Sequence, residues 1–421
     1  MRRPLIAIFL LLTSSMPVWA ETISSTQPVG ASVEELLNLA RRMNPELAAS
    51  AAETDAAKAR AEGADAFPDP KLQITLDEIS KNNAGLPGRA AVYKYTLQQE
   101  IPGWGKREAK REIAEAESRE VAGQQEDRTA EILMKIKTAY ADYHRVHLTM
   151  DQTNDLIQVM RALVEFARFR YAQGMGLQLE ATSAEAERGA LSSELVRLEK
   201  ERHRIRARLN ALVNRPPDAP LVEHPHMRPM PSDAALNYET LLERVLAANP
   251  GMHMTQARLE AAQGESQLVA KDWLPDMEVG FGLVNRRNEE MRDGFEAMIN
   301  VNLPLQIEWR KAREHEASAK KQAAHERLAS VRLQLEAGLR EAILSLEEAR
   351  QVEQTSRDLL LPQARIAMQS SLKGYETGSA EAVTVLDAVQ RVKKFQIDLV
   401  KAQFEQQVRL AEIERLIGGE L

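Results

Sequence analysis

The sequence predicts a mainly α-helical fold with a small β part, in which long helical hairpins and short strands occur twice. Helix-favouring Ala, Leu, Glu, Arg and Gln dominate the 421 residues, and only 5% are aromatic. The stretches 106–171 and 310–375 are each 66 residues long and contain one proline in total. Four short stretches alternate between apolar and other residues, which is the pattern of half-buried strands.

The N-terminus has the layout of a secretory signal peptide. Basic Met1-Arg2-Arg3 is followed by the apolar run 5–12, and small residues precede a cleavage site after Ala20. The run is too short to span a bilayer, and no later stretch reaches the ~18 apolar residues of a transmembrane helix. We expect residues 1–20 to be a signal peptide, with a retained membrane anchor as the alternative. An exported chain of this kind would enter a membrane only as a β-barrel.

The mature sequence contains an internal duplication. Four landmarks recur in one order at shifts of 205, 207, 202 and 204 residues: Asn44-Pro45 with Asn249-Pro250, Phe67-Pro68-Asp69 with Leu274-Pro275-Asp276, Ile101-Pro102 with Leu303-Pro304, and Tyr171–Gly174 with Tyr375–Gly378. We therefore predict a first structural repeat at 21–214 and a second at 232–421. The proline-rich stretch 215–231 is predicted to be an extended linker.

Each repeat begins with a helical segment and then two strands. The first segment, 32–66, opens with the capping box Ser32-x-x-Glu35, and its counterpart covers 237–272. The strands are predicted around 71–76 and 93–97, and around 277–283 and 295–303. Turn residues at 82–88 and 285–290 close each pair into a hairpin.

Very long helices follow the strands. A helix over 106–171 would measure about 100 Å, and the counterpart over 310–375 has no break before Pro362. Such lengths imply coiled-coil packing. Each helix stops at a Tyr-x-x-Gly, where glycine adopts the left-handed turn, and a shorter helix returns over 177–214 or 380–417.

Four strands cannot close a barrel, and lipid does not tolerate an open sheet edge. Several chains must therefore pool their strands. Three chains would supply 12 strands, an even number within the outer-membrane range, although four or five chains would also close. This reasoning predicts a channel with a β-barrel in the outer membrane and a helical barrel across the periplasm.

The duplicated layout, the strand exit Ile101-Pro-Gly-Trp-Gly-Lys106 and the Tyr-x-x-Gly turns resemble the TolC-type outer-membrane efflux protein family. The resemblance implies a homotrimeric α-barrel and 12-stranded β-barrel duct, a periplasmic adaptor and an inner-membrane RND-type pump. The run 98–107, Gln-Gln-Glu-Ile-Pro-x-x-Gly-Lys-Arg, is similar to outer-membrane components of heavy-metal cation exporters. It predicts passive conduction of metal cations to the exterior. Multidrug efflux and type I protein secretion remain alternatives.

The resemblance also suggests pore-lining residues. The family carries two aspartates just past the second turn; Thr384 occupies the first position here, and Asp387 matches the second. Glu180 is the corresponding acidic residue of the first repeat. In a trimer, three Asp387 carboxylates would form a ring that favours cations, whereas the alternative is an ordinary solvated helix face. The turns Tyr171–Gly174 and Tyr375–Gly378 would meet the adaptor, or would simply be hairpin turns over a packed aromatic.

Other residues invite weaker functional predictions. Trp104, Trp273 and Trp309 lie at strand–helix junctions, where tryptophans favour a membrane interface or pack ordinarily. Soft ligands occur at 223–230, 252–254 and in His144-x-x-His147, and these would suit copper(I) or silver. We nevertheless predict no bound metal and no cofactor, because the first cluster lies in the linker and helix histidines are usually solvated.

Several classes of protein are disfavoured. The absence of cysteine excludes disulfide scaffolds and thiolate chemistry, and a net charge of −7 argues against nucleic acid as a partner. No phosphate loop or nucleophile elbow is present, so an enzyme is not predicted. A periplasmic coiled-coil scaffold or adaptor explains the hairpins but leaves the four alternating strands without a role.

Overall fold

The computed structural model describes residues 27–77, 92–223, 225–286 and 292–421. Within these ranges the chain is mostly helical, with one four-stranded sheet. The elements in chain order are α1 (Val33–Met43), α2 (Pro45–Gly63), β1 (Lys71–Asp77), β2 (Val92–Ile101), α3 (Lys106–Ala172), α4 (Gln178–Leu212), α5 (Tyr238–Ala248), α6 (Pro250–Ala270), β3 (Met277–Arg286), β4 (Gly294–Val301), α7 (Ile307–Thr355), α8 (Leu361–Thr377) and α9 (Ala382–Leu416). The predicted signal peptide, the turn at 82–88 and most of the turn at 285–290 lie outside the described residues.

The prediction of one continuous helical segment over 32–66 is wrong, because the chain breaks at Asn44. A residue before proline disfavours the helical conformation, and Asn44 is extended at φ −70°, ψ 120°. Its side chain then caps α2 by accepting hydrogen bonds from the backbone of Glu46 and Leu47. The predicted capping box at Ser32 and Glu35 is formed in part: the Glu35 N–H donates to Ser32 Oγ, but the Glu35 carboxylate accepts from the backbone N–H groups of Gly30 and Ala31 and not from that of Ser32.

Asn249 repeats this arrangement between α5 and α6, so the prediction of one segment over 237–272 is corrected in the same way. Its side chain caps α6 through Met252 N–H. The Asn44 amide donates to the carbonyl of Leu212 at 2.8 Å, and the Asn249 amide donates to that of Leu416 at 2.8 Å. Each asparagine therefore ties the start of a repeat to the end of its returning helix.

The two long outgoing helices differ in regularity. α3 is a single helix of 67 residues, about 100 Å long. Its counterpart is interrupted: α7 ends at Thr355, and a π-helical turn over Ser356–Leu360 leads into α8. The predicted continuity up to Pro362 is therefore wrong by one turn. Pro362 has no N–H, and its ring displaces the carbonyl four residues earlier, so the irregularity precedes the proline.

Both long helices reverse where the sequence predicts. Gly174 and Gly378 have φ values of +72° and +78°, in the left-handed region that favours glycine. The backbone N–H of Gly378 donates to the carbonyl of Tyr375, and that of Gly174 donates to the carbonyl of Tyr171. α4 and α9 then return along α3 and α8–α7, which gives two antiparallel helical hairpins.

The sheet is antiparallel throughout, in the order β1-β2-β3-β4. β2 pairs with β3 over ten residue pairs, from Val92–Arg286 to Ile101–Met277, and this ladder joins the two repeats. The outer ladders are shorter and belong to one repeat each. The duplicated hairpins thus form one continuous sheet.

Hydrophobic clusters lie along the helical hairpins. One packs α1 against α3 and α4, and another packs α5 against α7 and α9. A third fills the end of the hairpins nearest the two turns and contains Tyr375. Among the described residues, no helix is long and apolar enough to cross a membrane.

Candidate functional site

The sheet exposes its apolar side and shields its polar side. Successive residues of a strand point to opposite faces, and the register gathers most apolar side chains of the four strands on one face, where Gln99 and Asn285 are polar members. The apolar face carries Leu72, Ile74, Leu76, Tyr93, Tyr95, Leu97, Val279, Phe281, Leu283, Phe295, Ile299 and Val301. Phe295 is 75% exposed and Ile299 is 71% exposed. A contiguous apolar surface of this kind marks contact with a membrane or another protein.

The polar face holds hydrogen-bonded side chains from all four strands. It carries Gln73, Thr75, Lys94, Thr96, Gln98, Glu278, Gly280, Gly282, Glu296 and Asn300. The Thr96 hydroxyl donates to the Glu296 carboxylate at 2.6 Å, although β3 lies between their strands. Gly282 makes this contact possible, since a Cβ there would lie 2.7 Å from Thr96 Oγ1 and 2.9 Å from the Tyr95 carbonyl oxygen.

The Lys94 ammonium lies close to two carboxylates on the same face. It lies 3.2 Å from Asp77 and 3.8 Å from Glu296. Beside it, the Gln98 amide donates to Gln73 at 2.5 Å. The polar face is therefore internally paired, as expected of polar side chains that are buried or partly buried.

An ion pair fixes the sheet to the helices. Asp276 Oδ1 accepts hydrogen bonds from Lys106 Nζ at 2.9 Å and from the Gly103 backbone N–H at 2.7 Å. Burial acts to raise the pKa of Asp276, but the bonds from Lys106 and Gly103 outweigh it and hold the pKa below its usual value. This lock joins β3 of the second repeat to α3 of the first.

The three predicted tryptophans surround the same junction. Trp104 is 91% exposed, and Trp273 and Trp309 are partly exposed. The Trp273 indole donates to Glu314 at 2.5 Å, and the Arg313 guanidinium lies 5.0 Å from the Trp309 ring centroid. Exposed indole rings, with an apolar body and a polar edge, suit an interface between apolar and aqueous surroundings.

At the opposite end, four side chains fasten the two hairpin turns together. We call Tyr375, Glu180, Arg170 and Phe166 the tip clasp. The buried Tyr375 hydroxyl donates to Glu180 Oε2 at 2.9 Å, and the Arg170 guanidinium lies 4.8 Å from the Tyr375 ring centroid. Arg170 also donates to the Tyr375 carbonyl oxygen at 2.9 Å, while Phe166 packs edge-on at 5.6 Å.

The clasp perturbs Tyr375. Burial and then the hydrogen bond to Glu180 raise the pKa of Tyr375 to about 12. The hydroxyl therefore stays protonated, and available as a donor, throughout the physiological pH range. The clasp links α3 and α4 of one repeat to α8 of the other.

Comparison with known proteins identifies the family of this chain. The family model for the outer membrane efflux protein matches residues 36–215 and 241–419. The chain belongs to the outer membrane efflux protein family. The two matched segments each span a helical pair, a strand pair and a helical hairpin.

Individual relatives of this efflux protein agree in length and fold. It is 24% identical over 414 residues to the cobalt-zinc-cadmium resistance protein CzcC of Cupriavidus metallidurans, covering 96% of this chain and 93% of that protein. Its fold is similar to the outer membrane protein VceC of Vibrio cholerae, with a TM-score of 0.79 at 19% identity, covering 94% and 100% of the two chains. For the channel CusC the TM-score is 0.71 at 14% identity, covering 96% of each chain.

The predicted constriction residues of the efflux protein occupy different settings. Asp387 and Thr384 are both exposed on the first turns of α9, and Asp387 pairs with Arg391 at 2.8 Å. Glu180 instead lies within the tip clasp. Within one chain the two carboxylates have different partners, Arg391 for Asp387 and Tyr375 for Glu180.

The predicted tip residues also differ from one another in their exposure. Tyr375 is wholly buried, so its side chain has no surface left for a partner, and it acts as the packed aromatic beneath the turn. Tyr171, at the matching place in the first turn, is half exposed, and Gly174 is exposed. Gly378 closes the second turn on the surface. The duplicated motif therefore has one structural and one exposed tyrosine.

The histidine and methionine clusters are used in local packing. His147 Nδ1 lies 2.9 Å from the Tyr143 carbonyl oxygen, and His253 Nε2 lies 2.9 Å from that of Ala247. Burial, followed by the proximity of His147 and His226, lowers the pKa of His144. In the described ranges, no group of three or more His, Asp or Glu side chains is arranged to hold a metal ion. His224 lies outside them.

Sequence reasoning missed the residues that depend on distant partners. Lys106, Asp276 and Arg170 are ordinary charged residues in the sequence. A buried network of Lys137, Glu414 and Arg228 was also missed; both cations lie 2.9 Å from Glu414 Oε2. Two signals were available: the repeated Phe/Leu-Pro-Asp landmark contains Asp276, and the strand exit at 101–106 ends on Lys106.

Proposed function

We propose that three copies of this chain form an outer-membrane efflux duct that passively conducts heavy-metal cations. A periplasmic adaptor and an inner-membrane RND-type pump would deliver the cations to it. The chain would begin with a cleaved signal peptide and would place its sheet in the outer membrane and its helical hairpins in the periplasm.

The inverted sheet is the observation that carries this proposal. Most of its apolar face is exposed, whereas the middle of its polar face, at Thr96 and Gln98, is buried. A soluble protein folds the other way round, because burying apolar area stabilises it by roughly 25 cal/mol per Å². Lipid on the apolar face and water on the polar face satisfy both sides. The strands of 7 to 10 residues are near the ~9–11 needed to cross a bilayer at a tilt.

The same sheet argues for several copies. The described part of one chain supplies four strands, and lipid does not tolerate the two open edges. Three copies would give twelve strands in one closed sheet, with the long helical hairpins continuing the wall below it. The tryptophan level at the junction would mark the membrane surface.

The hairpin tips are the proposed closed end of the duct. The tip clasp holds the two turns of one chain together, and Asp387 and Thr384 are exposed nearby on α9. Three copies would arrange three Asp387 carboxylates in a ring, which favours cations over anions. The exposed residues Tyr171, Gly174 and Gly378 are the proposed contacts for the adaptor, with Tyr375 as their internal support.

The metal substrate is supported by the similarity to CzcC over nearly the whole of both chains. A duct does not need a tight metal site, because conduction requires weak sites that ions leave easily. The choice of substrate would then belong to the pump, and this chain would contribute a cation-favouring path.

A growth profile tests the proposal. A strain that lacks the gene would be compared with the same strain carrying a plasmid copy, on zinc, cobalt, cadmium, nickel, copper and silver, and on lipophilic drugs and detergents. We expect sensitivity to metals, reversed by the plasmid. Sensitivity to drugs and detergents alone would assign the duct to multidrug efflux and overturn the metal substrate.

A further inference from the structure

Two arginines at the junction of the sheet and the helices make the same contact in each repeat. Arg107 Nε donates to the carbonyl oxygen of Asp65 at 2.6 Å, and Arg310 Nε donates to that of Asp272 at 3.0 Å. The two aspartates lie 207 residues apart, which is also the shift between the Phe67-Pro68-Asp69 landmark and its copy. The contact therefore belongs to the duplicated plan of the chain. We call Arg107 and Arg310 the junction arginines.

Among the described residues, neither junction arginine forms an ion pair. The carboxylates of the same two aspartates face other cations: Asp65 Oδ2 lies 3.7 Å from Arg111 Nη1, and Asp272 Oδ2 lies 2.6 Å from Arg313 Nη1. In the described part of the chain, the hydrogen bonds of the junction arginines end on backbone carbonyl oxygens alone. Their positive charges are thus available to an anion from outside the chain.

Aromatic rings hold the two guanidinium groups in place. The Arg107 guanidinium lies 3.7 Å from the Phe67 ring centroid, and that of Arg310 lies 5.8 Å from the centroids of both Trp273 and Trp309. The aspartate carbonyls use the Nε–H groups. The terminal nitrogens of Arg107 make no bond with a described residue, and those of Arg310 make one, at 3.5 Å, to a backbone carbonyl. A planar group of donors held at one edge matches the paired oxygens of a phosphate.

The junction arginines lie where the exposed apolar surface meets the helices. Their aromatic partners Phe67 and Trp273 each lie four residues before a strand, β1 and β3 respectively. Leu303, Leu305 and Ile307, each at least half exposed, continue the apolar surface from β4 to the start of α7. If acyl chains cover this surface, the groups at its helical end lie at the level of the lipid headgroups. The anions at that level are the phosphates of phospholipids.

We infer that each junction arginine binds the phosphate of a phospholipid in the leaflet of the outer membrane that borders the periplasm. The guanidinium donates to two phosphate oxygens, and the aromatic ring beside it packs against the first carbons of the same lipid. One chain therefore holds two headgroups, one for each repeat, and these fix the height of the junction in the membrane. The inference rests on the proposed function, which places the sheet in lipid.

The test uses three forms of the full-length protein. They are the wild type, the double variant Arg107→Gln with Arg310→Gln, and the control Arg327→Gln with Arg340→Gln. Glutamine removes the charge but keeps an amide that can donate to the aspartate carbonyl. The control removes the same charge from α7, where Arg340 lies about 45 Å along the helix from Arg310. Its guanidinium also lies against an aromatic ring, 3.6 Å from the Tyr238 centroid.

Particles extracted from outer membranes with detergent are titrated with three probes, and the bound molecules are counted by native mass spectrometry. The probes are dioleoyl phosphatidylglycerol, dioleoylglycerol, which has the same chains without the phosphate, and inorganic phosphate. We expect phosphatidylglycerol to bind the wild type and the control equally, and the Arg107→Gln, Arg310→Gln variant about tenfold more weakly, the change that follows the loss of a charged hydrogen bond. Dioleoylglycerol should bind all three forms equally.

Several results would overturn the inference. Equal affinity of phosphatidylglycerol for the wild type and for the Arg107→Gln, Arg310→Gln variant would do so, and so would an equal loss in the control. Displacement of the lipid by an equal concentration of inorganic phosphate would show a site for the free anion. These results would leave the outer-membrane particle in place, whereas absence of the wild type from the outer-membrane fraction would contradict the proposed function itself.

A second variant keeps the test decisive if glutamine prevents folding, as judged by circular dichroism. Arg107→Lys with Arg310→Lys keeps both charges but replaces each planar pair of donors by a single ammonium group. We expect its affinity for phosphatidylglycerol to fall about threefold, because a point charge still attracts the phosphate but does not bind two oxygens at once. An affinity equal to that of the wild type would contradict the two-oxygen contact.

Discussion

At the scale of single residues, the two copies of the Tyr-x-x-Gly motif place their tyrosines in different surroundings. Tyr375 is buried in the tip clasp, whereas Tyr171 lies half exposed at the matching position. The sequence predicts both turns, because a glycine with positive φ is a local requirement. It does not distinguish the two tyrosines, because their burial depends on Arg170 and Glu180 in the other repeat.

Removing one hydroxyl should loosen the tip. Tyr375→Phe keeps the ring but deletes the bond to a charged acceptor, which contributes about 1.5–3 kcal/mol. We expect higher single-channel conductance in planar bilayers and a folded protein by circular dichroism. Tyr171→Phe is the matched control and should conduct like the wild type. Unchanged conductance in Tyr375→Phe would show that the clasp does not restrict the duct.

The same hydroxyl should give the tip a dependence on alkaline pH. The pKa of Tyr375 is raised from 10.0 to about 12, so the folded state holds this proton more tightly than the unfolded state. Its contribution to stability is complete below pH 10 and is lost as the pH rises from 10 towards 12. Urea unfolding at pH 9 and pH 11 should show a larger loss for the wild type than for Tyr375→Phe. Equal losses would contradict the assignment.

Asp387 tests the proposed cation ring. Because the side chain is exposed and its ion pair with Arg391 lies within α9 itself, Asp387→Ala should leave assembly intact. We expect conductance to rise and the preference for cations over anions to fall, measured as a reversal potential in a salt gradient. A reversal potential equal to that of the wild type would remove Asp387 from the pore lining.

At the scale of elements, the sequence predicts the periodic parts and misses the interruptions. Strict alternation marks all four strands, and the lack of proline marks α3, because both patterns are local. The breaks at Asn44 and Asn249 are not predicted by periodicity. Their signal is the proline that follows each asparagine, because a residue before proline disfavours the helical conformation. The sequence predicts a break at Pro362, whereas the π-helical turn lies just before that residue, because a proline disturbs the helical turn that precedes it.

Gly282 is the position at which the sheet depends most on the absence of a side chain. Gly282→Val would force atoms against Thr96 and the Tyr95 carbonyl, and would break the bond from Thr96 to Glu296. We expect a loss of about 1–3 kcal/mol in the free energy of unfolding, the usual cost of overpacking. Gly338→Ala, in open space on α7, is the control and should be neutral or slightly stabilising. A thermal melt of Gly282→Val equal to that of the wild type would contradict the close packing.

At the scale of the whole molecule, the fold class followed from duplication and from two periodicities, and the family match confirms it. The contacts between repeats did not follow. The lock of Lys106 with Asp276 and the network around Glu414 join residues 170 and 277 positions apart, and no local pattern signals such pairs. The environment of the sheet, by contrast, can be predicted from the sequence. Apolar residues at every second position indicate that one face of each strand contacts apolar surroundings and the other does not.

The central claim is that several copies of this chain build a duct in the outer membrane. The mass of the detergent-extracted particle, measured by native mass spectrometry on separated outer-membrane and periplasmic fractions, tests it most directly. The account predicts particles of three chains in the outer-membrane fraction. Single chains in the soluble periplasmic fraction would contradict it and would favour a coiled-coil scaffold.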